Sequence, residues 1–265
     1  MNTDKFLQLD NIEQTFPLSG GKEYKAVVHV NVNIKKNEIV SIIGHSGCGK
    51  STLLNMIAGL DAQTKGNIIL NNKEITGPGP ERAVVFQNHS LLPWLSVYQN
   101  IEMAVKKVMP ELNSLELRQR VEHFVSMVNL DHAKDKFPGE ISGGMKQRVG
   151  IARALSIKPD VLLMDEPFGA LDSLTRANLQ EHLMRIQESV QNTVIIITHD
   201  IDEAVLLSDR VIMMTNGPSA TIGEILEVNI PRPRDRVALQ SNLEYIRCRE
   251  SILDFLYKKF AKDHE

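Results

Sequence analysis

Residues 44–51, Gly-His-Ser-Gly-Cys-Gly-Lys-Ser, constrain the fold more than any other segment of this chain. They fit the pattern G-x-x-x-x-G-K-[ST], in which glycines let backbone N–H groups turn toward phosphate oxygens. The mostly apolar residues 38–43 predict a buried strand, and residues 52–58 predict a helix that ends at Gly59. The loop therefore lies between a strand and a helix, so that the positive end of the helix faces an anion. The alternative is a glycine-rich turn followed by a chance Lys-Ser pair.

The residue types of this loop predict that it binds ATP and Mg²⁺. Lys50 is expected to reach the β- and γ-phosphates, and the Ser51 hydroxyl is expected to bind Mg²⁺. The backbone of Cys48 matters more than its thiol in this prediction. The predicted nucleotide-binding residues are Gly44, His45, Ser46, Gly47, Cys48, Gly49, Lys50, Ser51 and Thr52.

Composition limits the class of protein. The chain has 265 residues, of which 42% are hydrophobic, enough for one large domain or a core with a lobe. A net charge of −3 gives no general nucleic-acid footprint. No apolar run approaches the roughly 18 residues that span a bilayer, and the N-terminus shows no apolar signal region. We expect a soluble protein without disulfides, since only two cysteines are present, whose membrane role comes through partner chains.

Hydrophobic periodicity predicts an α/β fold. Alternating apolar residues over 28–34 indicate an N-terminal antiparallel β subdomain. Continuous apolar runs at 161–164, 194–197 and 211–214 indicate a mostly parallel core sheet with helices on both faces. A helix is predicted over 173–191, with Leu179, Leu183, Ile186 and Val190 on one face.

The domain organisation follows from changes in this pattern. Residues from about 88 to 158 read as an inserted α-helical subdomain within a nucleotide-binding domain over 1–230. Residues 231–265 read as a C-terminal extension with a terminal helix. Apolar residues of that helix are Leu239, Leu243, Ile246, Leu253 and Tyr257.

Two carboxylates follow the apolar run 161–164. Asp165 at a strand end is suited to hold Mg²⁺, because this cation prefers oxygen ligands. Glu166 is placed to polarise an attacking water as a general base. The alternative is an ordinary strand end that happens to be acidic, which becomes less credible beside the loop at 44–51.

Two further strand ends carry polar side chains. His199 follows 194–197 and is predicted to hydrogen-bond a γ-phosphate oxygen, although a lone histidine there is more often structural. Gln87 follows 83–86, and its amide is predicted to ligate Mg²⁺ or the water. Because Gln87 begins the helical subdomain, its movement would link the state of the phosphate to the position of that subdomain.

Residues 141–148, Ile-Ser-Gly-Gly-Met-Lys-Gln-Arg, resemble the signature motif of ATP-binding cassette (ABC) ATPases. The phosphate loop, Gln87, this motif, residues 165–166, residues 170–172 and His199 occur in the order and spacing of that family. The resemblance covers roughly residues 5–230. It implies the P-loop NTPase fold of ABC ATPases, with a RecA-like core and a helical subdomain.

The resemblance also implies how two such domains act together. They pair head to tail with two ATP molecules between them, so Ser142, Gly143 and Gly144 would act on the nucleotide of a partner subunit. Asp172 would lie in the loop that crosses the dimer seam. Phe16 matches the aromatic residue that stacks on adenine, with Tyr24 as the alternative. The motif departs from the family at Ile141 and at Met145, which replaces a glutamine.

Finer markers are similar to the nitrate/sulfonate/taurine importer group, and within it to the nitrate branch, which includes cyanate and bicarbonate relatives. These markers are residues 86–95, 142–148, 214–225 and 231–236. The resemblance implies an ATP-hydrolysing subunit that energises import of a small inorganic anion, with nitrate the first choice. The alternatives are a sulfonate/taurine, cyanate or bicarbonate importer, an export ATPase, or a non-transport ABC ATPase. DNA-repair members place a long coiled coil between the loop and the signature, and this chain has no room for one.

The implied partners are a second ABC ATPase subunit, identical or different, two transmembrane permease subunits, and a periplasmic or lipoprotein anion-binding protein. No nucleic-acid partner is implied. The implied location is the cytoplasmic face of the inner membrane, as a peripheral subunit. Trp94 and its neighbouring leucines could form a socket for a helix of the permease or a core patch of the helical subdomain. The Pro-Arg-rich segment 231–236 could be a solvated polyproline segment, or it could contact the permease or anionic headgroups.

Overall fold

A computed structural model describes residues 5–169 and 171–258, except for the side chains of Glu188 and Lys258. The chain divides into two compact units, Met1–Gly79 with Thr193–Glu265, and Pro80–Asn192. The predicted subdomain limits near residues 88 and 158 stay a prediction. Ala170 of the family pattern, and residues 259–265 of the predicted extension, lie outside the described residues.

The secondary structure of the described residues includes ten strands, eight α-helices and three short 3₁₀ helices. The strands are β1 (Leu7–Pro17), β2 (Glu23–Ile34), β3 (Ile39–Ile43), β4 (Lys65–Leu70), β5 (Lys73–Glu74), β6 (Arg82–Val85), β7 (Val161–Asp165), β8 (Thr193–Ile197), β9 (Arg210–Met214) and β10 (Ile222–Glu227). The helices are α1 (Lys50–Ala58), α2 (Val97–Val108), α3 (Ser114–Met127), α4 (Gly143–Leu155), α5 (Ser173–Val190), α6 (Ile201–Leu207), α7 (Arg236–Leu239) and α8 (Leu243–Lys258). No helix in the described ranges is both long enough and apolar enough to cross a bilayer.

An antiparallel sheet forms one part of the first unit, with strand order β2-β1-β4-β5. Alternate residues of β2 from Val30 to Ile34 are buried, as the sequence predicts. The alternation fails near His29, which has a φ of 49°, because the pairing of β1 and β2 is irregular there. Val27 on the other side of this bulge is therefore buried as well.

Parallel strands form the other part of the first unit. Strand β3 lies between β8 and β9, and Ile42 is level with Ile197 and Ile212. All five residues of β3 are buried, which explains its continuous apolar run. Since parallel strands end at the same edge, the segments that follow β3 and β8 leave the sheet side by side.

In the second unit, β6 and β7 are parallel, with Val85 level with Met164. Helix α2 packs on α3 and α4. Each of α2 and α3 begins with a capping box, at Ser96 and Asn113 respectively, so two orphan backbone donors of each helix are satisfied. The apolar side chains between these helices include Ile101 and Val121, both fully buried.

Helix α8 lies in the C-terminal extension, and Leu239, predicted to belong to the terminal helix, lies in the preceding helix α7 instead. Leu243 is 83% exposed and Tyr257 is 70% exposed, so these two apolar residues do not contribute to the buried face of α8. The buried stripe consists of Tyr245, Cys248, Ile252 and Phe255, which recur at helical spacing and include two residue types with polar atoms. α8 packs on α6 through this side of the extension.

Candidate functional site

The loop after β3 owes its shape to glycines. Gly47 and Gly49 have φ values of 81° and 88°, a region that residues with a Cβ rarely adopt. Gly49 is also the N-cap of α1, and a Cβ there would lie 2.5 Å from Cγ1 of Val27. A Cβ on Gly44 would lie 2.8 Å from Sγ of Cys48. The loop therefore needs glycine for conformation at two positions and for close packing at two.

The Lys50 ammonium is buried within this loop. Its Nζ donates to the carbonyl oxygens of Gly44 at 2.7 Å and His45 at 2.9 Å, and the residue is only 7% exposed. The cation thus lies over a turn whose N–H groups precede the positive end of α1. Ser51, in the first turn of α1, is exposed. A cation, backbone donors and a hydroxyl gathered at a helix N-terminus suit a polyphosphate.

The environment of the Cys48 thiol does not favour a reactive role. The residue is 1% exposed, and burial raises the pKa of this thiol despite the nearby Lys50 charge. A neutral thiol is a poor nucleophile. That the backbone of this residue matters more than its side chain stays a prediction.

His199 leaves the sheet next to the phosphate loop. It follows β8, and the N–H of Thr198 donates to the carbonyl of Ile42 at 3.2 Å. Because β3 and β8 are adjacent and parallel, His199 and the loop at 44–51 emerge at the same edge of the first unit. Its side chain is exposed, so a ligand at that edge can reach it.

Phe16 and Tyr24 face each other across β1 and β2. Phe16 is 38% exposed, and Tyr24 is less so. A Cβ on Gly217 would lie 3.4 Å from the Tyr24 hydroxyl and 3.0 Å from the carbonyl of Gly47. Tyr24 is therefore packed beside the loop, and Phe16 offers the freer aromatic face.

The second unit carries the predicted carboxylates and amide. Asp165 ends β7 and Gln87 follows β6, two adjacent parallel strands. Nε2 of Gln87 donates to Oε2 of Glu166 at 3.1 Å, so the structure brings this amide and this carboxylate together. Glu166 has a φ of 44°, a conformation that costs a residue with a Cβ on the order of 1–3 kcal/mol. Such strain commonly marks functional positions.

The signature segment forms the start of α4. Oγ of Ser142 caps the helix by accepting from the N–H of Met145 at 3.3 Å, and Ser142 and Gly143 are exposed. Gly144 is buried, and a Cβ there would lie 2.5 Å from Cγ2 of Thr175 on α5. The second glycine of the motif thus has a packing reason that the sequence did not reveal. Met145 contributes its backbone N–H to the cap. A glutamine at this position, as in the family's motif, could make the same hydrogen bond.

Asp172 caps the next helix. Its Oδ1 accepts from the N–H of Thr175 at 3.0 Å, and this hydrogen bond lowers the pKa of the Asp172 carboxyl. The residue is exposed at the N-terminus of α5. It is therefore a charged side chain on the surface, and its implied place at the dimer seam stays a prediction.

Arg153 is a residue that the sequence analysis missed. Its guanidinium donates to the carbonyls of Ser90 at 2.7 Å and His89 at 3.1 Å, and His89 and Ser90 both have positive φ. Arg153 thereby fixes the strained segment that follows Gln87. No spacing pattern marks it, because it is one of several basic residues on α4.

Trp94 lies on the surface of the second unit. It is 68% exposed, which rules out the reading as part of a core patch. An open groove of about 510 Å³ lies nearby, and its lining includes Leu95, Gln99, Met103 and Lys107. An exposed indole beside a partly apolar groove is typical of a protein–protein contact.

The sequence and the fold were both compared with known proteins. The sequence model of the family described as "ABC transporter" matches residues 27–169. The chain is 57% identical over 257 residues to nitrate transport protein NasD of Klebsiella oxytoca, covering 97% of this chain and 98% of that protein. It is 58% identical over 251 residues to bicarbonate transport ATP-binding protein CmpC of Synechocystis sp., covering 95% of this chain but only 38% of that protein.

Among solved structures, the fold is similar to that of the ATP-binding cassette MJ0796, determined as a dimer in a post-hydrolysis state with bound ADP and Pi. The TM-score is 0.74 at 32% identity, covering 85% of this chain and all of that one. The α/β fold class predicted from the sequence is confirmed by this similarity.

Proposed function

Because this chain belongs to the ABC transporter family and is an ATP-binding ATPase of that family, we propose that it energises the import of nitrate through a membrane complex. The observation that carries the proposal is the similarity to nitrate transport protein NasD over nearly the full length of both chains. Bicarbonate is the second candidate. Its support is an equally high identity to CmpC, of which this chain spans 38%.

The loop at 44–51 fits a bound triphosphate. The positive φ of Gly47 and Gly49 is a backbone conformation that can turn successive N–H groups toward an anion. In the proposed mechanism, the N–H groups of this loop bind phosphate oxygens. Lys50 exchanges its two carbonyl contacts for the β- and γ-phosphates, and it neutralises charge that develops on the transferred phosphoryl group.

Three side chains fit Mg²⁺, since each offers an oxygen ligand of the kind it prefers. They are the Ser51 hydroxyl, the Asp165 carboxylate and the Gln87 amide oxygen. Bound Mg²⁺ supplies charge neutralisation on the phosphates. Glu166 accepts a proton from the attacking water as general base, and the donor amide of Gln87, 3.1 Å away, holds this carboxylate in place. His199 donates to an oxygen of the γ-phosphate from the same edge as the loop.

A second ABC subunit completes the proposed site. The related cassette MJ0796 has been solved as a dimer. We infer that exposed Ser142 and Gly143, with the helix N-terminus behind them, bind the γ-phosphate on a partner subunit. Asp172 would face the same partner. The proposed dimer forms with ATP and opens after hydrolysis, and the partner is an identical or a different ABC chain.

The proposed membrane partners are two transmembrane permease subunits, supplied with the anion by a periplasmic or lipoprotein binding protein. The exposed Trp94 and the groove lined by Leu95 and Met103 support a contact with a short helix of a permease. Gln87 lies seven residues before Trp94, so the state of the γ-phosphate would be passed to this contact. These partners would place the chain at the cytoplasmic face of the inner membrane.

The test is transport by the complex in proteoliposomes. The chain is co-purified with its permease and binding protein, and ATP turnover and anion uptake are measured with nitrate, bicarbonate, cyanate and a sulfonate in turn. Nitrate is expected to stimulate both, and a matched complex with Lys50→Ala is expected to give neither. Stimulation by bicarbonate alone would favour the second candidate. Turnover without uptake of any of these anions would contradict an importer of this class.

A further inference from the structure

Helix α6, directly after His199, is only seven residues long. A helix this short is not stable by itself, so tertiary contacts must set its position. His199 lies between two fixed points. On one side the N–H of Thr198 is bonded to β3, and on the other Asp200 caps α6 by accepting from Glu203 at 3.0 Å. Any shift of α6 therefore moves His199.

The C-terminal extension holds the first turn of α6. The hydroxyl of Tyr245 on α8 donates to Oδ1 of Asp202 at 2.8 Å, and Arg249 forms an ion pair with the same carboxylate. Tyr245 is 4% exposed, and burial together with the Asp202 carboxylate raises the pKa of its hydroxyl. The phenol therefore keeps its proton, and the hydrogen bond, at neutral pH.

The same extension holds the last turn of α6. Arg234, 6% exposed, donates through Nη1 to the carbonyls of Val205 at 2.8 Å, Leu206 at 3.1 Å and Ser208 at 2.8 Å. A buried cation at the carbonyl end of a helix is favourably placed, because the helix dipole is negative there. Arg234 is thus buried against α6, whereas Pro231, Arg232, Pro233 and Asp235 are exposed, so both alternatives that the sequence left open for the segment 231–236 stay open for its other residues.

A third contact reaches the phosphate loop itself. Nε2 of His45 lies 3.4 Å from the carbonyl oxygen of Leu256, near the end of α8. Phe255, also on α8, packs closely on Gly223 of β10. A Cβ on Gly223 would lie 2.6 Å from the Phe255 ring. Helix α8 is therefore held in place by contacts with the phosphate loop and with β10, in addition to its bonds to α6.

We propose that Tyr245 and Asp202 are positioning residues for His199: the C-terminal extension holds α6 at both ends and so sets where the His199 imidazole lies during ATP hydrolysis. This inference rests on the catalytic role given to His199 in the proposed function. It assigns the extension a part in the reaction itself, through a contact that neither touches the nucleotide nor belongs to the loop.

The first experiment compares ATP hydrolysis by the full chain carrying Tyr245→Phe, which removes one hydroxyl, with that of the unaltered chain. We expect kcat to fall about tenfold, since small misplacements of a catalytic group have effects of this size or larger. KM for ATP should stay within about twofold, because binding by the loop is unchanged. Arg247→Ala is the matched control, since Arg247 on the same helix bonds to Glu244 of α8.

A conservative pair at the other partner separates positioning from bulk stability. Asp202→Asn keeps an oxygen acceptor for Tyr245 and should retain more of kcat than Asp202→Ala. Thermal unfolding of every variant is recorded alongside. A lower melting temperature with an unchanged kcat in Tyr245→Phe would show a purely structural contact and overturn the inference.

The decisive experiment repeats Tyr245→Phe in a His199→Ala background. If the effect travels through His199, Tyr245→Phe should then change kcat by less than about twofold. An equal loss in both backgrounds would overturn the inference while leaving the role of His199 intact. An unchanged kcat in His199→Ala alone would instead refute the catalytic role of His199 in the proposed function, so the two failures are distinguishable.

Discussion

In the proposed mechanism, the phosphate loop acts through its backbone and the carboxylate segment at 165–166 acts through a side chain. In the loop, the binding groups are backbone N–H donors, and Gly47 and Gly49 adopt left-handed conformations at little cost. In the carboxylate segment, the proposed catalytic group is the side chain of Glu166, and the backbone of this residue adopts a left-handed conformation despite its Cβ. Where the backbone does the binding, the sequence can choose glycine freely. Where the side chain does the chemistry, it must keep a residue that the conformation disfavours.

The largest expected effect tests the carboxylate segment, in which a side chain is proposed to do the chemistry. Glu166→Gln should lower ATP turnover by about 10²- to 10⁴-fold, since a general base is lost while the shape and an amide partner for Gln87 remain. ATP binding should persist, so the chain should accumulate as an ATP-bound dimer, measured by light scattering with ATP and Mg²⁺. A monomer under these conditions would count against the proposal.

Lys50→Ala tests the phosphate loop. It should lower ATP turnover by about 10²- to 10³-fold, less than Glu166→Gln, because the N–H donors of the loop remain. Phosphate release at saturating ATP measures this loss. Lys65→Ala is the control, since Lys65 is an exposed lysine of the same unit that pairs with Glu13. Unchanged turnover in Lys50→Ala would refute the loop assignment, and a loss equal to that of Glu166→Gln would remove the contrast between the two segments.

The third prediction concerns stability in the loop. Gly49→Ala adds a Cβ at a φ of 88° and 2.5 Å from Val27, and it should lower the free energy of unfolding by about 2–4 kcal/mol. Gly47→Ala adds only the conformational strain, since no atom lies within 4 Å of its Cβ, and should cost about 1–2 kcal/mol. Urea denaturation of the two variants measures the difference. Equal losses would show that the contact with Val27 relaxes.

The smallest expected effect comes from comparing glycine with alanine at position 166 of the carboxylate segment. Glu166→Gly should be more stable than Glu166→Ala by up to about 1 kcal/mol, although both lose the carboxylate. The comparison is again made by urea denaturation. Greater stability of the alanine variant would mean that the φ of 44° carries no strain, and the proposed contrast in construction would fail.

The sequence predicted the features that depend on local spacing. An apolar run predicted the strand before Gly44, and the glycine pattern predicted the helix that ends at Gly59. In the structure Gly59 is the C-cap of α1 and has a φ of 75°. The order of the motifs was sufficient to identify the family and hence the fold class. Both kinds of signal lie within short segments, where neighbours in sequence are also neighbours in space.

The features that the sequence did not predict depend on partners far along the chain. The need for glycine at position 144 comes from Thr175, 31 residues away, which no local pattern encodes. The buried face of α8 depends on α6, and the polar atoms of Tyr245 disguised it because Asp202, its partner, lies 43 residues earlier. The burial of Arg234 was not predicted for the same reason, since its acceptors are backbone carbonyls, which look alike in every sequence.

The five carbonyls that Arg234 bonds bear directly on how the protein should be shortened or joined to other proteins. The family match ends at residue 169 and the core strands end at Glu227, so a cut near residue 230 would look harmless. Such a truncation would remove the Arg234 guanidinium. The buried carbonyl oxygens at the end of α6 would then lose this donor. A fusion partner attached after α8 leaves every one of these bonds in place.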